Sequence, residues 1–221
     1  MGRTWVVIPM FNEATVIAAV IEEIRATFRY VVCVDDGSAD ASAAIAESCG
    51  AIVVRHPINL GQGASLQTGF DFALRDPKMT EVVTFDADGQ HQVQDAQAMV
   101  DMLRAEALDI VIGSRFLDDR TQVGWAKRLV LRGAAVYSRW TSGMELTDAH
   151  NGLRVISRAL LERIRITQNR MAHASELVDK VGKAKVRWRE YPTHIIYTDY
   201  SRAKGQSLLN SINILVDLIF R

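Results

Sequence analysis

Along the first 113 residues the apolar positions keep two alternating rhythms. Short runs rich in β-branched residues fall at residues 4–8, 30–34, 51–55, 81–85 and 109–113, and these read as strands. Between them lie segments of helical period, at residues 15–28, 39–49, 63–74 and 94–106; in the first, Val16, Ala19, Val20, Glu23 and Ile24 fall at helical spacing. Strand and helix in alternation predict an α/β fold with a doubly wound, mostly parallel, Rossmann-like sheet. The strand runs are short and apolar, as expected of strands covered on both faces. Such a sheet binds ligands at the carboxyl ends of its strands.

Beyond residue 113 the rhythm breaks. Residues 123–143 form a basic helical stretch, 153–156 a short strand, 157–164 and 173–181 helices, and 186–197 a segment of strand formers. Residues 201–206 are polar and loop-like, and 208–220 form a terminal amphipathic run. With no internal repeat, low-complexity tract or linker, the 221 residues suit one α/β domain, residues 1–207, followed by a C-terminal amphipathic helix, residues 208–221. The 48% hydrophobic and 24% charged residues are an ordinary globular balance. Cys33 and Cys49 are too few for a disulfide framework and read as reduced residues of a cytosolic protein. The apolar run at 5–9 is too short for a leader peptide, and no stretch reaches the roughly 18–20 apolar residues of a membrane span.

Charge adds an asymmetry that hydropathy does not show. The net charge is zero, yet residues 1–110 hold 7 Lys/Arg against 16 Asp/Glu, and residues 111–221 hold 19 against 10. An acidic half suits a metal ion, and a basic half suits phosphate groups or an anionic membrane surface; uneven scatter on a solvated surface would look the same.

The residues with chemical potential stand directly after the strand runs. Pro9-Met10-Phe11-Asn12-Glu13 follows the first, and Asp35-Asp36-Gly37-Ser38-Ala39-Asp40 the second. Paired carboxylates at a buried strand end repel and desolvate each other, which hydrogen bonds from a nucleoside would offset; Ser38 or Asp40 could equally cap the next helix. After the fourth run comes Thr84-Phe85-Asp86-Ala87-Asp88-Gly89-Gln90-His91. Asp86 and Asp88 can both reach one hard cation if the loop bends between them, and oxygen ligands favour Mg²⁺ or Mn²⁺. Gln90 offers a further oxygen, while His91 is either a ligand or a hydrogen-bonding wall.

These segments, together with Asn59-Leu60-Gly61-Gln62-Gly63-Ala64, Ile112-Gly113-Ser114-Arg115 and Arg202-Ala203-Lys204-Gly205-Gln206-Ser207, come in the order and spacing of family 2 glycosyltransferases. The chain resembles that family, of GT-A fold, and within it the dolichol-phosphate mannose synthase-like branch, over roughly residues 4–207. The resemblance implies that Pro9, Asn12, Glu13, Asp35, Asp36, Gly63, Asp86, Ala87 and Lys204 contact the donor, and that Asp86, Asp88 and Gln90 surround the metal. It further implies that Arg115 touches a phosphate and that Arg202 closes over the donor diphosphate. Two positions depart from the family: Gln62 stands where lysine is common, and Leu208 follows Ser207 where mannosyl-type synthases usually have lysine.

Asp148, in Thr147-Asp148-Ala149-His150-Asn151-Gly152-Leu153-Arg154, falls at the family's acceptor loop and reads either as a general base for a hydroxyl acceptor or as a turn residue. Arg128, Arg132 and Arg139 lie within about 40° of one helical face at roughly 100° per residue, a stripe for a lipid phosphate or a solvated basic face. Residues 208–221 suit an interfacial anchor or a docking helix for a small membrane-protein partner, or a helix closing the core.

The reading is a metal-dependent, inverting hexosyltransferase using a UDP- or GDP-linked sugar, peripheral on the cytoplasmic face of the cell membrane. Its acceptor is a polyprenyl phosphate or, alternatively, a sugar hydroxyl of a surface polysaccharide with Asp148 as base. No nucleic-acid partner is expected, and homo-oligomerisation is left open. A nucleotidyltransferase would carry a Gly/Arg-rich loop after the first strand, and Gly61-Gln62-Gly63 lacks the dinucleotide-binding spacing. A non-catalytic scaffold is the remaining class.

Overall fold

The computed structural model describes residues 2–118, 142–149, 151–170 and 172–196. The basic stripe of Arg128, Arg132 and Arg139, the loop with Arg202 and Lys204, His150, and residues 208–221 lie outside the described residues. Among the described residues, strands β1 (Arg3–Met10), β2 (Tyr30–Asp35), β3 (Ile52–Arg55), β4 (Met79–Thr84), β5 (Ile110–Ser114), β6 (Arg154–Ser157) and β7 (Trp188–Pro192) form one sheet in the order β3-β2-β1-β4-β6-β5-β7. The pairs β1–β2, β1–β4, β2–β3 and β5–β7 are parallel, whereas β6 runs antiparallel to both β4 and β5.

Helices α1 (Ile17–Arg25), α2 (Ser42–Ser48), α3 (Gln62–Leu74), α4 (Val93–Ala105), α5 (Arg158–Leu161) and α6 (His173–Ala184) cover the sheet. Alternation along β1 explains why its apolar run is unbroken. Val6, Ile8 and Met10 pack with Ile17, Ile21 and Ile24 of α1 and with Met99, Val100 and Leu103 of α4. Trp5 and Val7 point the other way, into Leu66, Phe70 and Ala73 of α3 and Leu177, Val178 and Val181 of α6. Side chains of period two thus feed two cores, and both faces of the central strand must be hydrophobic. Helix α3 lies directly on the sheet because it offers Gly69 there: a Cβ at that position would stand 2.2 Å from Val7 Cγ1.

The elements expected at residues 157–164 and 186–197 are shorter in the structure. Helix α5 is about one turn, N-capped by the Ser157 hydroxyl accepting from Leu160 N at 3.3 Å. After β7 the chain stays extended but turns over α4 and its approach, where His194 N donates to Asp95 Oδ2 at 2.7 Å and Ile196 N to the Gln90 carbonyl at 3.0 Å. Insertion of β6 between β4 and β5 is the topological feature that the run of strands in sequence did not foretell. It places residues 151–154 beside the end of β4, where Asp86 emerges.

Candidate active site

The loops after β1, β2 and β4 and the start of α3 enclose a cleft of about 520 Å³ at the carboxyl ends of the strands. Of the expected donor and metal residues, Pro9, Glu13, Asp36, Asp86, Ala87 and Asp88 line it, joined by Met10, Phe11, Asn59, Gly61, Gln62, Ser65 and Arg170.

Asn12, expected on the nucleotide, instead welds two loops. Its backbone takes φ 53°, which asparagine tolerates better than most residues. Its N–H donates to Ser38 Oγ and its Oδ1 accepts from Ala39 N, both at 2.9 Å. The two carboxylates after β2 also part company. Asp35, 5% exposed, does not line the cleft and accepts from Ser38 N at 3.2 Å within its own turn. Asp36 reaches the cleft wall, and both its oxygens are engaged: Oδ1 with Leu60 N at 2.9 Å and His56 Nδ1 at 2.8 Å, Oδ2 with Gly61 N at 2.7 Å. Burial raises its proton affinity, but the His56 and backbone hydrogen bonds prevail, so its pKa is lowered overall. Asp36 therefore fixes the glycine loop that starts α3, a buried carboxylate satisfied by backbone donors.

Beyond β4 the pair Asp86 and Asp88 reaches the cleft floor. Asp86 Oδ1 accepts from Gln62 Nε2 at 3.1 Å and Oδ2 from His91 Nε2 at 2.9 Å. His91 is thus a hydrogen-bonding wall, edge-on to Phe85 with ring centroids 5.5 Å apart. Burial would raise the Asp86 pKa, but the His91 hydrogen bond and the nearby Arg154 charge bring it below the usual carboxylate range. Asp88 behaves oppositely, pushed up to about 6 by burial and by the charge of Asp86. Gln90 is 8% exposed and does not line the cleft; its N–H donates to Asp88 Oδ1 at 3.1 Å, so it shapes the loop around the pair. The donor set of hard carboxylate oxygens fits Mg²⁺ or Mn²⁺. Among the described residues no group of three or more His, Cys, Asp and Glu forms a metal cage. A cation between Asp86 and Asp88 would therefore complete its shell from a bound ligand, as phosphate-bound cations do.

Behind Asp86 stands a layer of motif residues to which spacing along the chain assigned no role. Thr84 Oγ1 donates to the Gly152 carbonyl at 2.6 Å and accepts from Arg154 N at 3.1 Å, locking β4 to the start of β6. Gly152 is required by proximity, because a Cβ there would lie 2.2 Å from Asp86 Oδ2. Arg154 is 2% exposed, its Nη2 donates to the Ala149 carbonyl at 3.3 Å, and its Nε is buried without a hydrogen-bond partner. Burial lowers its pKa to about 10, opposed by the charges of Asp86 and Asp148, so it remains a cation between two carboxylates. His173, at the start of α6, is held to about 4 by burial and by Arg154, and is neutral at pH 7. An arginine within the apolar strand at 153–156 was the one sequence signal for this layer.

Arg115 and Asp148, expected at the acceptor side, form a pair with each other. Arg115 Nε donates to Asp148 Oδ2 at 2.6 Å and Nη2 to Oδ1 at 2.7 Å, and Asp148 is 1% exposed. Glu190 of β7 accepts from Thr147 N at 2.8 Å and Asp148 N at 3.1 Å, fixing the turn that carries the pair.

A family model described as glycosyl transferase family 2 matches residues 5–165. The chain is 34% identical over 223 residues to an uncharacterised protein of Methanocaldococcus jannaschii, covering 98% of this chain and 91% of that one. It is 33% identical over 172 residues to the polyprenol monophosphomannose synthase of Mycolicibacterium smegmatis, covering 73% of this chain and 64% of the synthase. It is 26% identical over 237 residues to the UDP-N-acetylglucosamine–dolichyl-phosphate N-acetylglucosaminyltransferase of Methanococcus voltae, covering 97% of this chain and 94% of that one. In fold the chain is similar to glucosyl-3-phosphoglycerate synthase from Mycobacterium tuberculosis, solved with Mn²⁺, UDP and phosphoglyceric acid. That likeness has a TM-score of 0.71 at 19% identity and covers 98% of this chain and 78% of the synthase.

Proposed function

Because the chain belongs to glycosyl transferase family 2 and is a glycosyltransferase, we propose that it transfers a sugar from a UDP- or GDP-linked donor to a polyprenyl phosphate, with inversion at the anomeric carbon. The observation that carries this reading is the Asp86–Asp88 pair on the floor of the cleft. Burial and the charge of Asp86 push Asp88 up to about 6, and such a pair of carboxylates matches a divalent cation and the diphosphate it accompanies. Held by Asp86 and Asp88, Mg²⁺ or Mn²⁺ would offset charge on the departing nucleoside diphosphate.

The chain's own residues do the positioning. His91 and Gln62 orient Asp86, the His91 hydrogen bond with a smaller contribution from the Arg154 charge keeps it ionised, and Asp36 holds Gly61 at the start of α3. Arg202 and Lys204 are assigned to the donor phosphates, and Arg128, Arg132 and Arg139 to the acceptor phosphate.

Two observations support a phosphate acceptor. Relatives are named as acting on polyprenol, dolichyl phosphate and, in Micrococcus luteus, undecaprenyl phosphate. In addition, Asp148 is buried with both carboxylate oxygens bound by Arg115, which favours an acceptor that needs no base over a sugar hydroxyl. A phosphate monoester, with a second pKa of ~6, needs no such base. The proposed place of action is the cytoplasmic face of the membrane, with residues 1–207 as the catalytic domain and 208–221 as an interfacial or docking segment. No helix among the described residues is long and apolar enough to cross a membrane.

The test is to incubate the protein with labelled nucleotide sugar, Mg²⁺ or Mn²⁺, and either a short polyprenyl phosphate or a glycan primer. Label should enter the lipid, and should fail to do so after chelation or in Asp88→Ala. Product formed only on the glycan would overturn the acceptor, and full activity of Asp88→Ala with metal chelated would overturn the metal's role.

A further inference from the structure

The cleft has an electrostatic deficit. Glu13, Asp36, Asp86 and Asp88 all line it, whereas among the described residues the only cationic side chain in its wall is Arg170. A nucleoside diphosphate entering such a cleft meets like charge on several sides, and one divalent cation does not neutralise all of it. Gln62 contributes an amide, and that amide is directed to Asp86.

Arg170 is held in place by an unusually well-anchored loop. Glu176 of α6 accepts from Thr167 N at 2.9 Å, from Gln168 N at 2.8 Å and from the Thr167 hydroxyl, and it pairs with Lys180 at 2.7 Å. The Asn169 carbonyl accepts from Gly63 N at 2.7 Å and from Ala64 N at 3.3 Å. The Arg170 carbonyl accepts from His173 N at 3.1 Å and His173 Nδ1 at 2.7 Å. The loop comes so close to α3 that only glycine fits opposite it: a Cβ at Gly61 would stand 2.4 Å from the Asn169 carbonyl oxygen, and one at Gly63 2.0 Å from that of Gln168. The Arg170 stem lies over Gly61, whose N–H is bound by Asp36, and the next residue, Gln62, is bound to Asp86. Arg170 therefore lines the cleft beside the glycine turn that Asp36 holds. Its guanidinium has no hydrogen bond or ion pair with the described residues, although the Asn169 and Arg170 carbonyls beside it are both engaged.

We infer that Arg170 is a donor-binding residue that supplies a cationic contact to the diphosphate beside those assigned to Arg202 and Lys204, with Glu176 and the Gly61–Gly63 turn as its positioning frame. A guanidinium presents paired N–H groups that match phosphate oxygens, and an anchored loop loses little freedom when the ligand arrives. The inference rests on the nucleotide-sugar reading above.

Titration calorimetry with UDP and GDP in Mg²⁺, and with uridine and guanosine alone, tests it. Arg170→Ala should weaken the bound diphosphate by about 10- to 100-fold and leave nucleoside affinity unchanged, with Arg170→Lys in between. Glu176→Gln, which frees the loop without removing the cation, should cost diphosphate affinity by a smaller factor and also spare the nucleoside. Unchanged diphosphate affinity in Arg170→Ala, or an equal loss for nucleoside and diphosphate, overturns the assignment while the donor reading stands. Wild-type protein that binds neither diphosphate overturns both.

Discussion

Asp86 takes its position from four neighbours that come from three parts of the chain: Gln62, His91, and Gly152 with Arg154. Gly152 matters only by what it lacks. Gly152→Ala should push the Asp86 carboxylate off the cleft floor and lower kcat/KM by about 100-fold, and in the Asp86→Ala background the same change should cost almost nothing further. Additive losses in that double-mutant cycle would place the effect of residue 152 elsewhere. Asp148 makes a different kind of case, a residue in a motif whose carboxylate pairs with Arg115 through both oxygens. Asp148→Ala removes the bidentate partner of the Arg115 guanidinium, 12% exposed, and should destabilise the fold by about 3–5 kcal/mol in urea unfolding. A variant that loses turnover at wild-type stability would restore the general-base reading.

At the scale of elements, two short segments do most of the positioning. Strand β6 enters between β4 and β5 and brings Gly152 and Arg154 to Asp86; the loop at 165–170 closes on the start of α3. That loop depends on an ionised Glu176. Burial alone would raise its pKa, but hydrogen bonds from Lys180, Thr167 and Gln168 hold it at about 2, below its ordinary 4.5. A carboxylate with a depressed native pKa stabilises the fold above its unfolded pKa and loses that contribution as pH falls through the native one. Glu176→Gln should therefore cost about 1–3 kcal/mol at pH 7, and the gap to wild type should close between pH 4.5 and pH 2. A gap independent of pH would show that the loop is held by packing instead. The boundaries of β1 to β5 and α1 to α4 were legible in the sequence to within a few residues, because two-face burial and helical period leave direct marks. The partners of β6 were not, since an apolar run of four residues fits beside any neighbour.

For the whole molecule, one sheet carries an acidic cleft built from residues 9–88, closed at the side by Arg170 from the second half of the chain. Ligands that bind this native arrangement must stabilise it. UDP or GDP with Mg²⁺ at a hundredfold excess over Kd adds about 2.7 kcal/mol, a rise in Tm of roughly 5–10 °C for a chain of this size. Absence of any shift with either nucleotide would reject the donor cleft. The segregated charge, 7 Lys/Arg and 16 Asp/Glu up to residue 110 against 19 and 10 beyond it, accords with a metal-bearing side and a phosphate-bearing side.

By itself the sequence determined the α/β class, the strand ends at which chemistry is placed, and the Asp86–Asp88 pair. Each of these is written in local periodicity or in short spacing along one segment. The tertiary structure alone decided which carboxylates face the cleft and which are spent on loops. Asp36 lines it while holding Gly61, Asp35 accepts within its own turn, Asn12 joins two loops, and Asp148 pairs with Arg115. It alone joined Arg154 and Arg170 to a site whose motifs lie far from them in the chain. Roles of that kind depend on partners brought together by strand order and loop packing, and one-dimensional spacing holds no record of those distances.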